Sequence, residues 1–152
     1  MNIELDKKLV KNYPKLFVNR YKPMTETAMC FGFECGDGWY KLLNLLCHNI
    51  QNHIDFKERK GISIPQVTVD QVKEKFGTLS FYYTGGDEYT SGLISMATSM
   101  SGIICEHCGN EGRLRGHTWL YTACDLHTKP QDLDTEEEIL TRLNMQKENI
   151  SI

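Results

Sequence analysis

The residues with the clearest chemistry are two ligand pairs: Cys105 and Cys108 with two residues between them, then fifteen residues, then Cys124 and His127 at the same spacing. Thiolate and imidazole are the donors zinc prefers, and two such pairs supply a tetrahedral set. Gly109, directly after the first pair, lets the backbone fold beneath a metal. Arg113 to Ala123 is long enough for a short hairpin turning near Gly116. If all four positions are filled by protein, none is left for water, so the expected cofactor is a structural Zn²⁺ and the expected metal residues are Cys105, Cys108, Cys124 and His127. His107 and His117 lie within the same segment, and His117 is the substitute ligand should His127 not serve. Glu106, Glu111 and Asp125 outnumber Arg113 and Arg115 around this set, so the segment is expected to grip phosphate poorly.

Other candidates are weaker. Cys30, Cys35, Cys47 and His48 are spaced unlike any common metal knuckle, and the three cysteines read as buried or half-buried thiols. Cys35-Gly36-Asp37-Gly38 opens onto a helix and could present backbone N–H groups to an anion. Gly85-Gly86-Asp87-Glu88-Tyr89 resembles the signature loop of diguanylate cyclases. A strand end, a glycine turn and a helix cap explain the same five residues, and the chain before it offers a single hairpin. Tyr82 falls on the outer face of its strand, where it could stack on a base or a partner. Asp37, Tyr82, Asp87 and Glu88 are therefore the candidate ligand-binding residues. No Ser/His/Asp order, phosphate loop or close carboxylate pair gives a catalytic candidate.

The elements that position these residues follow from periodicity. Leu5, Leu9, Val10, Tyr13 and Leu16 predict an amphipathic helix interrupted near Pro14. Pro23 to Gly38 reads as a loop ending in a helix start capped by Asp37. Trp39, Leu43, Leu46, Ile50 and Ile54 predict a long helix. Val67 and Val69, then Leu79, Phe81 and Tyr83, alternate on either side of Phe76-Gly77 and predict a β-hairpin. Asp87 then caps a helix whose apolar positions are Tyr89, Leu93, Ala97, Met100 and Ile104. Glu136, Glu137 and Glu138 predict the first turn of a last, acidic helix.

The 152 residues suit one α+β unit with a β-hairpin flanked by helices. The expected division is 1–104 for that unit, 105–130 for a zinc-ribbon or treble-clef-like lobe, and 131–152 for the acidic helix. The net charge of −3 is accounted for by residues 128–152, with six acids against three bases. With no dense Lys/Arg cluster, nucleic acid is a disfavoured partner. No long apolar run predicts a membrane span, and a charged beginning argues against a signal peptide, so the expected place is the cytoplasm.

The stretches PMTETAMCFGFECGDGWY, VKEKFGTLSFYYTGGDEY and CEHCG…TACDLH together resemble a group of small uncharacterised phage and prophage proteins, over roughly residues 13–127. The resemblance implies a setting, the cytoplasm of an infected host cell, and no particular chemistry. The first expectation is a non-enzymatic accessory protein that binds a host protein, of the kind that blunts a defence system. The others are a sponge for a small nucleotide signal, a metal-dependent nuclease or phosphodiesterase, and a nucleic-acid-binding zinc module. A homo-oligomer is compatible with each of them.

Overall fold

The computed structural model describes residues 1–135 and 138–140. It is a mixed α and β structure in the order α1 (Ile3–Asn12), β1 (Phe33–Glu34), α2 (Tyr40–Arg59), β2 (Thr68–Lys75), β3 (Thr78–Thr84), α3 (Glu88–Ser101), β4 (Arg113–Arg115) and β5 (Tyr121–Ala123). Strands β1, β2 and β3 form one sheet in that order, with β1 parallel and β3 antiparallel to β2, and β4 pairs antiparallel with β5. Among the described residues, no helix is long and apolar enough to cross a membrane.

Helices α1 and α3 begin where the sequence supplies an acceptor. The Asn2 side chain accepts from the N–H groups of Glu4 and Leu5 at the start of α1, and Asp87 accepts from Thr90 at the start of α3. Helix α2 is the exception, because Trp39 precedes it without a side-chain cap. Asp37 does not cap α2 as the sequence suggests. Its carboxylate instead takes hydrogen bonds from the Asn2 backbone N–H, at 2.6 Å, and the Asn2 side-chain amide, at 2.7 Å, joining the starts of two elements.

The core is built from α2 and the hairpin. Trp39, Leu43, Leu46, Ile50 and Ile54 are all buried, together with Val67, Val69, Val72, Leu79 and Phe81. Side chains of this size contribute roughly 1.5–3 kcal/mol each on full burial. Val69 and Val72 both point inward despite their odd spacing because the register shifts between Val69 and Gln71, a local bulge. Leu16 and Phe17 also enter the core, and the Leu16 carbonyl accepts from the Val69 N–H at 2.8 Å.

Two sequence expectations change here. The stretch from Pro23 to Gly38, read as loop, contains 3-10 turns at Ala28–Phe31 and Asp37–Trp39 and the short strand β1 between them. The inward face of α3 is Thr90, Ile94, Ala97 and Ser101. Tyr89 is exposed instead, and Met100 lies at the edge. The rotation places two small polar residues inside, where each is satisfied: Thr90 Oγ1 donates to Asp87, and Ser101 Oγ accepts the Leu79 N–H at 2.8 Å.

The expected acidic helix over 131–152 lies largely outside the described residues. Before it, Pro130–Asp132 is a 3-10 turn, and Thr135 and Glu138 exchange the hydrogen bonds of a capping box.

Candidate metal centre

Ile104 and Glu111 form an isolated bridge, and between them the chain turns sharply through Cys105-Glu106-His107-Cys108. The Gly109 N–H donates to the Cys105 carbonyl at 2.8 Å, and the Cys105 N–H donates to Asn110 at 2.7 Å. Strands β4 and β5 then carry the chain through the positive-φ Gly116 to Cys124, and a 3-10 turn over Asp125–His127 delivers the fourth side chain. One donor atom from each of Cys105, Cys108, Cys124 and His127 lies within 4.8 Å of the other three. The Cys108 and Cys124 sulfurs are 3.7 Å apart, and His127 Nδ1 sits 3.7 Å from the Cys105 sulfur and 3.2 Å from that of Cys124. These four could hold a metal ion. His107 stacks on the outside of His127, with ring centroids 5.3 Å apart, and is not in the donor set.

The electrostatics suit a cation. Burial opposes ionisation of Cys105, but N–H groups from Cys124, Cys108 and His107 outweigh it and bring the thiol down to about 7. Cys108 moves the other way: the Asn110 N–H favours its thiolate, yet desolvation and the neighbouring Cys105 and Cys124 leave its thiol raised. Neighbouring thiolates repel one another, and a positive ion between them relieves that repulsion.

The first knuckle is seated on a segment that sequence reading assigned elsewhere. Gly36 N–H donates to the Glu106 carboxylate at 2.7 Å, Gly38 N–H donates to the Glu106 carbonyl at 2.7 Å, and the Trp39 indole N–H donates to the Ile104 carbonyl at 2.9 Å. A Cβ on Gly38 would lie 2.2 Å from the Cys105 carbonyl oxygen and 2.5 Å from the Gly109 nitrogen. The glycines of Cys35-Gly36-Asp37-Gly38 therefore permit close backbone approach, and their N–H groups are engaged with Glu106 and not offered to an outside anion. The Glu106 carboxyl is itself raised, first by burial, with the Gly36 N–H opposing. Gly36, Gly38 and Glu106 were missed as supports of the centre; the paired glycines before Trp39 were the available signal.

On the far side, Arg113 and Arg115 project from β4 onto Asp125, between the last two candidate ligands, and onto Asp134. Arg115 is almost wholly buried in this network. Thr122 Oγ1 donates to the Gly77 carbonyl at 2.6 Å, tying the β4–β5 hairpin to the β2–β3 turn.

The remaining candidates are dispersed. Asp37 is engaged with Asn2, as above. Asp87 pairs with His53 at 2.8 Å, and that hydrogen bond is the chief cause that holds its carboxyl below the usual range. Tyr82 is half exposed on β3 with the Lys73 ammonium 5.5 Å from its ring, and Glu88 is exposed at the start of α3. Cys30, Cys35 and Cys47 are free thiols; burial pushes Cys35 up to about 12 and raises Cys47 as well. No protein-family model matches the chain, and neither a curated protein nor a solved structure matches it.

Proposed function

We propose that this is a zinc-stapled, non-enzymatic binding protein in which Cys105, Cys108, Cys124 and His127 hold one structural Zn²⁺. The observation that carries the reading is the convergence of four soft donors, all within 4.8 Å of one another. Zinc bonds of about 2.3 Å to sulfur and about 2.0–2.1 Å to nitrogen imply tetrahedral edges of about 3.8 Å between sulfurs and about 3.6 Å from sulfur to nitrogen. The Cys105–His127 and Cys108–Cys124 separations, both 3.7 Å, match those edges, and the Cys124–His127 separation of 3.2 Å is about 0.4 Å shorter. A knuckle, a two-stranded hairpin and a second short turn then make up a zinc-ribbon or treble-clef-like lobe. The ion supplies folding free energy: it joins two turns that share little apolar surface, the lobe's own buried cluster being Cys105, Tyr121 and Ala123.

A recognition role is supported by what the surface displays. Phe76 and Trp119 are each 70% exposed and line one cavity, and neighbouring large aromatics left in water suit partner contact better than folding. In the infected-cell setting implied by the phage resemblance, the partner is a bacterial host protein and the effect is interference with a host function such as defence. Elemental analysis of purified chain, together with affinity capture from bacterial cells, tests the reading. One zinc per chain and a stoichiometric host protein are expected. Metal-free folded protein, or substrate turnover abolished by Cys108→Ser, would overturn it.

A further inference from the structure

The turn between β2 and β3 is made by Phe76 and Gly77, both at positive φ, 54° and 83°. Two-residue hairpin turns of this hand favour Asn-Gly because both central residues enter the left-handed region. Gly77 is explained by its φ of 83°, a conformation that favours glycine. Phe76 is not. An aromatic residue in this region costs about 1–2 kcal/mol relative to its preferred conformations, and with 70% of its surface in water it recovers little by burial. Strain kept at an exposed aromatic points to a use outside folding.

That use is visible in what surrounds the ring. Phe76 and Trp119 line one cavity of about 270 Å³ with Lys73, Glu74, Lys75, Thr118 and Leu120. Its volume is below the roughly 300–1,000 Å³ of small-molecule sites, so it suits an anchoring side chain better than a whole ligand. The Glu74 carboxylate accepts the Gly77 N–H at 2.6 Å and keeps its charge, so with Lys73 and Lys75 the lining carries one net positive charge. The Lys75 ammonium stands 5.4 Å from the Phe76 ring, and Lys73 stands over Tyr82 on the same hairpin. Thr122, bonded to the Gly77 carbonyl, fixes the two hairpins that form the walls.

We propose that this cleft docks an acidic segment of another protein, with an apolar side chain seated between Phe76 and Trp119 and carboxylates facing Lys73 and Lys75. The inference deepens the binding role proposed above and rests on it. Two lysines on a chain of net charge −3 would neutralise too few phosphates to favour single-stranded nucleic acid.

The test is selection of a displayed random-peptide library on the zinc-loaded full chain, followed by affinity measurement with the enriched peptides and with an oligo-dT strand. Enriched peptides should carry Asp or Glu around an aromatic or Leu. Their affinity should fall about tenfold or more in Trp119→Ala and in Phe76→Asn, and Lys73→Glu with Lys75→Glu should weaken them further. Phe76→Asn should keep its metal and melt no lower than the parent chain, which separates lost contact from lost fold. Peptides that bind these variants as tightly as the parent, or no enrichment at all, would overturn the cleft while leaving the host capture to decide the binding role. Tighter binding of oligo-dT than of any peptide would overturn the choice of partner.

Discussion

Gly38→Ala is the most discriminating single change in this molecule. Its Cβ would stand 2.2 Å from the Cys105 carbonyl oxygen, where ordinary contact begins at 3.4 Å, so the two segments must part by about 1.2 Å, the difference between the two. The atoms it meets are backbone and cannot rotate away. Parting them stretches the Gly38–Glu106 and Gly36–Glu106 bonds, both 2.7 Å, and the Trp39–Ile104 bond of 2.9 Å beyond useful length. At about 0.5–1.5 kcal/mol for each hydrogen bond, with more for the indole N–H of a fully buried Trp39, the loss is roughly 2–4 kcal/mol. For a chain of this size that lowers Tm by about 4–16 °C. Thermal unfolding in excess zinc measures it, and competition with a chromogenic chelator measures the accompanying loss of metal affinity. Gly92→Ala is the control: Gly92 lies in α3 with nothing within 4 Å of its would-be Cβ, and alanine there should add roughly 0.5–1 kcal/mol. An unchanged Tm and zinc affinity in Gly38→Ala, or an equal fall in Gly92→Ala, would refute the seating of the knuckle on this turn.

Cys108→Ser should abolish stoichiometric zinc by elemental analysis, whereas Cys47→Ser, deep in the α2 core, should leave metal content unchanged. Arg20→Leu should cost about 3–5 kcal/mol in urea unfolding, because it strands the buried Asp6 carboxylate that Arg20 Nε meets at 3.0 Å; removing both charges should recover much of the loss. Asp87, held low chiefly by the His53 hydrogen bond, should titrate by NMR below ordinary aspartates, and His53→Gln should move it upward. Since its folded value is depressed, its contribution to stability is present above the unfolded value of about 3.9 and is lost as pH falls through the folded one.

The four candidate ligands and the α2 core were legible in the sequence because both are local patterns. Two pairs with two-residue spacing declare a donor set before any fold is known, and the recurrence of Trp39, Leu43, Leu46, Ile50 and Ile54 follows from helix geometry alone. The hairpin and the cap at Asp87 were legible for the same reason. What the tertiary structure decided depends on residues distant in the chain. Strand β1, of two residues, exists only by pairing with β2 more than thirty positions later, and carries no period of its own. Gly36 and Gly38 looked like a helix start open to anions until Glu106 was brought onto them. The inward face of α3 rotated onto Thr90 and Ser101 because a hydrogen bond to Asp87 and one from the Leu79 N–H could satisfy polar atoms that hydropathy alone keeps outside. Phe76 stood in the sequence at a turn that favours asparagine, but only the fold placed it beside Trp119, since burial, close approach and shared clefts are properties of contacts and not of spacing.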